Sequence, residues 1–140
     1  MEIIEKLSKT TLKSHPLTHS RLKHLSSVAG SSEDHISRLA MALSINKGEV
    51  EPDWTPIHFA LDIESETSSS PKHLRGSTLL KDETAVWMAL VLSYQSPSGY
   101  DEWRRVLKSH WERGVQILAE KNDSHDNWIR TLNSCIPHGE

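Results

Sequence analysis

Tyr100-Asp101-Glu102-Trp103-Arg104-Arg105-Val106-Leu107-Lys108-Ser109-His110-Trp111-Glu112-Arg113-Gly114-Val115-Gln116-Ile117-Leu118-Ala119-Glu120 is the stretch that decides the fold. Trp103, Val106, Leu107, His110, Gly114, Ile117 and Leu118 recur at helical spacing on one stripe. Arg104, Arg105, Lys108, Glu112 and Glu120 fall largely outside it, as on a helix with one buried and one hydrated side. Trp111 lies about a hundred degrees past His110, so it serves either a subunit contact or, the commoner fate of tryptophan, the core. Gly114 inside so long a helix costs about 1 kcal/mol relative to alanine, and close approach by another backbone would explain it.

Working outward from this helix, Ser77 or Thr78 can cap another that runs through Tyr94, with Asp82 and Glu83 in its early turns. Its run Ala85–Leu92 is apolar on nearly every side, the pattern of a centrally buried helix. Ser65–Pro71 reads as a flexible surface loop, Gly48–Pro56 as a loop, and Ile57–Ile63 as a partly alternating strand or irregular segment. Further back, Ser31 or Ser32 caps a helix bearing Ile36, Leu39, Ala40 and Leu43 and ending at Asn46-Lys47-Gly48. Before it, Pro16 opens a helix with Leu17, Leu22, Leu25 and Val28 inward and Gly30 as its left-handed stop. Ile3–Leu12, with Ile3, Ile4, Thr10 and Thr11, suits a short strand. On the far side, Asp123 to about Asn133 forms a last short helix, and 134–140 is a frayed tail. The expectation is one mainly α, compact domain over residues 1–140, beginning strand-helix-helix.

At 140 residues, with 36% apolar and 25% charged side chains, one packed core is feasible but not generous, which favours burial against copies of the same chain. No run of about 18 apolar residues and no secretory leader are found, so a cytoplasmic location is expected. The single Cys135 excludes an internal disulfide and a cysteine-paired zinc site. Net charge is −3, divided unevenly: residues 1–50 carry +2 and residues 51–140 carry −5. His15, His19, His24 and His35 add positive character to the first part as pH falls toward about 6.5.

The signatures of phosphate-cradling loops, nucleophile elbows and zincins are absent. His15 and His19, spaced i, i+4, lack a carboxylate or cysteine at ligand spacing, so no metal or cofactor is assigned. Cys135 has no evident base, and no catalytic residue is assigned. One cluster stands out: Lys6, Lys9, Lys13, Arg21 and Lys23, interleaved with Ser8, Thr10, Thr11, Ser14 and Ser20, supplies cations and neutral donors suited to a phosphate backbone.

The ordered set Leu7-Ser8-Lys9, Ser20-Arg21-Leu22-Lys23, Ser37-Arg38-Leu39-Ala40-Met41-Ala42-Leu43-Ser44-Ile45, Thr78-Leu79-Leu80 and His110-Trp111-Glu112-Arg113-Gly114-Val115 resembles the DndE family of DNA sulfur-modification (phosphorothioation) proteins across roughly residues 5–120. The resemblance implies a helical fold with a ribbon-helix-helix-like beginning, a homotetramer, and preference for nicked double-stranded DNA. It implies work beside separate sulfurtransferase, desulfurase and ATPase proteins, which perform the chemistry. Lys9, Arg21 and Lys23 fall on basic positions of the family motifs, and Lys6, Lys13 and His24 join them by local charge. The chain departs from the family at Lys81, where a glycine is common, and in its insertion at Ser65–Pro71.

The expected function is therefore a non-catalytic accessory subunit that binds double-stranded DNA through its phosphates. Two alternatives stand beside it: a ribbon-helix-helix-type transcriptional regulator and a protein-only scaffold of the modification complex. A nicking enzyme comes last.

Overall fold

A computed structural model describes residues 2–59, 70–123 and 127–136. The chain is mainly helical, with seven helices and one two-stranded sheet among the described residues. In order these are α1 (Ile3–Lys9), β1 (Thr11–Lys13), α2 (Pro16–Ala29), α3 (Glu33–Asn46), β2 (His73–Arg75), α4 (Gly76–Leu79), α5 (Thr84–Val91), α6 (Gly99–Asp123) and α7 (Trp128–Cys135). The strands pair antiparallel, Thr11 opposite Arg75 and Lys13 opposite His73.

The middle of the molecule is α3 laid against α6. A Cβ on Gly114 would fall inside the carbonyl of Ala40, so the two backbones meet where the sequence places a costly glycine. Side chains on either side of that contact lock the pairing. Trp111, fully buried, donates from Nε1 to Ser37 Oγ at 2.9 Å, so it serves the core and not a subunit contact. Arg113 reaches the end of α3, where its Nη2 donates to the carbonyls of Ser44 and Gly48, each at 2.6 Å, and Nη1 to that of Glu49 at 3.0 Å. These carbonyls belong to the last turn of α3 and to the two residues after its C-cap Lys47, so one guanidinium ties α6 to the end of α3. On the opposite side Glu112, only 5% exposed, caps α2: its Oε2 accepts from the His15 amide at 2.6 Å and from Thr18 Oγ1 at 3.0 Å. A carboxylate at a helix start satisfies unpaired amides and complements the dipole.

The caps expected for the middle helices are present. Gly30 takes φ 64 after α2, and Ser32 Oγ accepts from the His35 amide at 3.1 Å ahead of α3. Three expectations need correction. Ile3–Lys9 is a helix, not a strand, because it buries Leu7 at helical spacing; extension is confined to Thr11–Lys13. The helix expected from Ser77 or Thr78 to Tyr94 is broken, since Lys81 and Asp82 both adopt left-handed backbone, φ 55 and 61, between α4 and α5. The run Ala85–Leu92 is not central: Thr84 and Val91 are buried, but Val86, Leu90 and Leu92 are 54, 46 and 53% exposed. In the 134–140 span, Ser134 and Cys135 belong to α7, and residues 137–140 lie outside the described residues. So do 60–63 of the Ile57–Ile63 segment and 65–69 of the Ser65–Pro71 loop; Ile57–Phe59 is irregular.

Gly114→Ala should lower stability by about 3 kcal/mol or more, since the added carbon meets backbone and not a movable side chain. Urea denaturation tests this, and a loss no larger than that of an exposed helical substitution would show that α3 and α6 can part without consequence.

Candidate nucleic-acid interface

The sheet has two unlike faces. Leu12 and Leu74 point into the core, whereas Thr11, Lys13, His73 and Arg75 are exposed on the other side. Alternation along each strand produces this division, and the register sets Lys13 and Arg75 diagonally across the ribbon.

The segment from α1 into β1 runs beside the first half of α6. Tyr100 donates from its hydroxyl to Thr10 Oγ1 at 2.7 Å, and Arg104 donates from Nε to the same oxygen at 3.2 Å and from Nη2 to the Thr11 carbonyl at 3.0 Å. Lys6 sits over the Tyr100 ring, 5.6 Å from its centre. Lys6 and Arg104 are thereby placed beside the Thr10–Thr11 end of the ribbon, where Arg75 stands opposite Thr11. Lys9, on the neighbouring flank of α1, is exposed and only 4.0 Å from Glu5, a separation at which a surface pair contributes little.

The other expected site residues are placed differently. Lys23 is exposed and His24 half-buried, both on α2, seven and eight residues past its start and away from the α1–β1 track. Arg21 requires a correction. It is 3% exposed, donates to Gln116 Oε1 at 3.2 Å and to the Ile57 carbonyl, and stacks 4.4 Å from the centre of the Phe59 ring. A guanidinium committed to internal acceptors holds the 57–59 segment against α2 and α6 and offers no surface to a phosphate.

Sequence reasoning missed Arg75, Arg104, Arg105 and Lys108. The alternation His73-Leu74-Arg75 was the available signal for β2, but three residues are too few to separate from a loop. Arg104 and Lys108 at i, i+4 look like ordinary solvated charges until β1 is seen beside them.

Among the described residues His110 is the one titratable group with a large shift, and its surroundings are structural. Arg113 Nε donates to Ser44 Oγ at 2.8 Å; Ser44 then donates to His110 Nδ1 at 2.8 Å, and His110 Nε2 donates to Gln95 Oε1 at 3.2 Å. The same Gln95 oxygen accepts from the Val50 amide at 3.2 Å. This chain is satisfied by a neutral imidazole. Burial first, and then the positive Arg113, lower its pKa from 6.5 to about 4. His15 Nδ1 accepts from the Leu17 amide at 3.0 Å, and His19 Nδ1 donates to the Ser70 carbonyl at 2.7 Å. Among the described residues no group of three or more His, Cys, Asp or Glu side chains is placed to hold a metal ion, and no helix is long and apolar enough to cross a membrane.

Comparison with protein-family models gives no match, and neither a curated protein nor a solved structure matches the chain.

Because the folded-state pKa of His110 lies below its unfolded value, its contribution to stability is complete above pH 6.5 and is lost as pH falls toward 4. Urea midpoints should fall across that window, with a loss on the order of 3 kcal/mol from this group. His110→Gln, which retains a donor and an acceptor, should flatten the dependence; an equally steep profile would assign it to other groups.

Proposed function

We propose that the chain is a DndE-like, non-catalytic accessory subunit of a DNA phosphorothioation system, acting in the cytoplasm. It binds double-stranded DNA, nicked duplex included, through backbone phosphates and presents it to separate sulfurtransferase and ATPase proteins. The observation that carries this reading is the exposed ribbon face with Lys13 and Arg75, with the exposed Lys6 and Lys9 on the adjoining α1, on a chain whose net charge is −3. Cations gathered on one side of an acidic protein favour a polyanion there and little attraction elsewhere.

Two further features support the family reading. Lys81, where the family commonly has glycine, takes φ 55, the conformation for which glycine is suited. The His110–Val115 motif also has a structural task for its members, from the Ser44 relay to the Ala40 contact.

The ribbon-helix-helix regulator is less favoured. In this chain β1 already pairs with β2, and the Thr11 carbonyl on its other edge accepts from Arg104. Pairing β1 with a second copy would displace that side chain.

Oligomerisation belongs to the proposal and is supported by α5. Thr84–Leu92 carries no charge, and Val86, Leu90 and Leu92 stand about half exposed with Tyr94 at 49%. Beside them Ile4, 44% exposed, lies on α1, which is tied to α5 by the 2.8 Å Ser8–Thr84 hydroxyl contact. Exposed apolar surface of this extent usually marks an interface.

Electrophoretic shifts over a salt series test the DNA reading. The logarithm of affinity should fall linearly with log salt, and Lys9→Gln, Lys13→Gln and Arg75→Gln together should reduce the slope by up to about 3 units. An unchanged slope would remove the ribbon from the DNA surface. For assembly, sedimentation should find the wild type larger than its 15.9 kDa chain and Leu90→Glu shifted to that mass; a monomeric wild type would end this part of the reading.

A further inference from the structure

Below the ribbon a groove of about 460 Å³ opens between the start of α2, the 52–56 segment and α6. Its cationic lining is Lys13, Arg105 and Lys108, its aromatic wall is Trp54, and Pro16, Pro52, Pro56 and Pro71 stiffen its rim. The volume falls within the range of about 300–1,000 Å³ that accommodates small organic ligands.

The charges are only partly met from within the protein. Glu112 also lines the groove, but its Oε2 is engaged by the His15 amide and Thr18, and its Oε1 stands 3.8 Å from Lys108 Nζ. Arg105 Nη2 is 3.9 Å from Glu102, beyond hydrogen-bond length. Arg105 Nη1 is excluded from solvent and has no hydrogen-bond partner. The Arg105 side chain as a whole is 32% exposed, so a ligand in the groove meets its exposed part and not the enclosed Nη1. Lys13 stands on the exposed ribbon face.

We infer that this groove binds one nucleotide unit, its phosphate on Arg105, Lys108 and Lys13 and its base against Trp54. An anion alone would use the cations but not the aromatic wall, and an apolar ligand would use the wall but not the cations. A phosphorylated nucleoside meets both requirements, since every base has a face to stack and phosphate suits the guanidinium fork. The inference extends the DNA reading: the ribbon holds duplex by charge, while the groove takes a single unstacked nucleotide, either free or at a strand end.

Calorimetric titration of the full chain with 2′-deoxyadenosine 5′-monophosphate, with deoxyadenosine and with inorganic phosphate tests this. The nucleotide should bind saturably, and each fragment at least about tenfold more weakly. Arg105→Gln and Trp54→Leu should each weaken the nucleotide by about fivefold or more, while Lys23→Gln leaves it unchanged. Thermal melts establish that the variants remain folded; Arg105→Gln alters a partly exposed side chain and suffices alone should Trp54→Leu unfold. No saturable nucleotide binding, equal binding of phosphate, or indifference to Arg105→Gln would overturn the inference. A short oligonucleotide with a 5′-phosphate, compared with the free nucleotide, separates a strand end from a soluble ligand as the source. Salt-sensitive duplex binding that survives loss of nucleotide binding would reject the groove alone, whereas loss of both in the wild type would reject the DNA reading as well.

Discussion

The close approach of Gly114 to the Ala40 carbonyl is the constraint from which the arrangement follows. Two helices that meet backbone to backbone have little freedom to slide, so polar groups on their flanks can be matched over short distances. Ser37 faces the Trp111 indole, and Ser44 stands between His110 and Arg113. Each of these polar groups is buried or half-buried and has a partner, which makes them determinants of register and not simply sources of cohesion.

From that anchored position α6 also organises the surface. Its buried side fixes α3, while Tyr100 and Arg104, near its start, hold Thr10 and Thr11 and thereby the ribbon. Core and ribbon thus share one rigid element. Segment 57–59 is tied to the same helix through Gln116, which accepts from both Arg21 and the Ile57 amide. A site mounted in this way depends on packing deep in the core as much as on its own side chains.

What could be read in advance follows from the range of the interactions involved. The middle helices were legible because Pro16, Gly30 and Ser32 act within a few residues, and the periodicity of α6 extends over its whole length. Gly114 was legible as an anomaly, although its neighbour Ala40 was not. The start of the chain was misread because Ile3 and Ile4 favour extension locally, whereas Leu7 is buried against the tertiary structure; strand propensity yields to such contacts. α5 was misplaced because an all-round apolar composition does not say whether the covering surface belongs to the same chain. Arg21 looked like a phosphate ligand because a positive charge in a basic segment carries no mark of burial. Its acceptors, Gln116 and Ile57, are distant in sequence.

The carboxylate of Glu112 at the head of α2 has an effect on selectivity. The head of a fourteen-residue helix would ordinarily attract any small anion, but here it is closed from within: the His15 ring accepts from the Leu17 amide, and Glu112 accepts from the His15 amide and the Thr18 hydroxyl. Sulfate, chloride or a metabolite's carboxyl group therefore finds no generic trap beside the ribbon. Attraction in this region is left to long, jointed cations, which adapt to a repeating polymer more readily than to a lone ion.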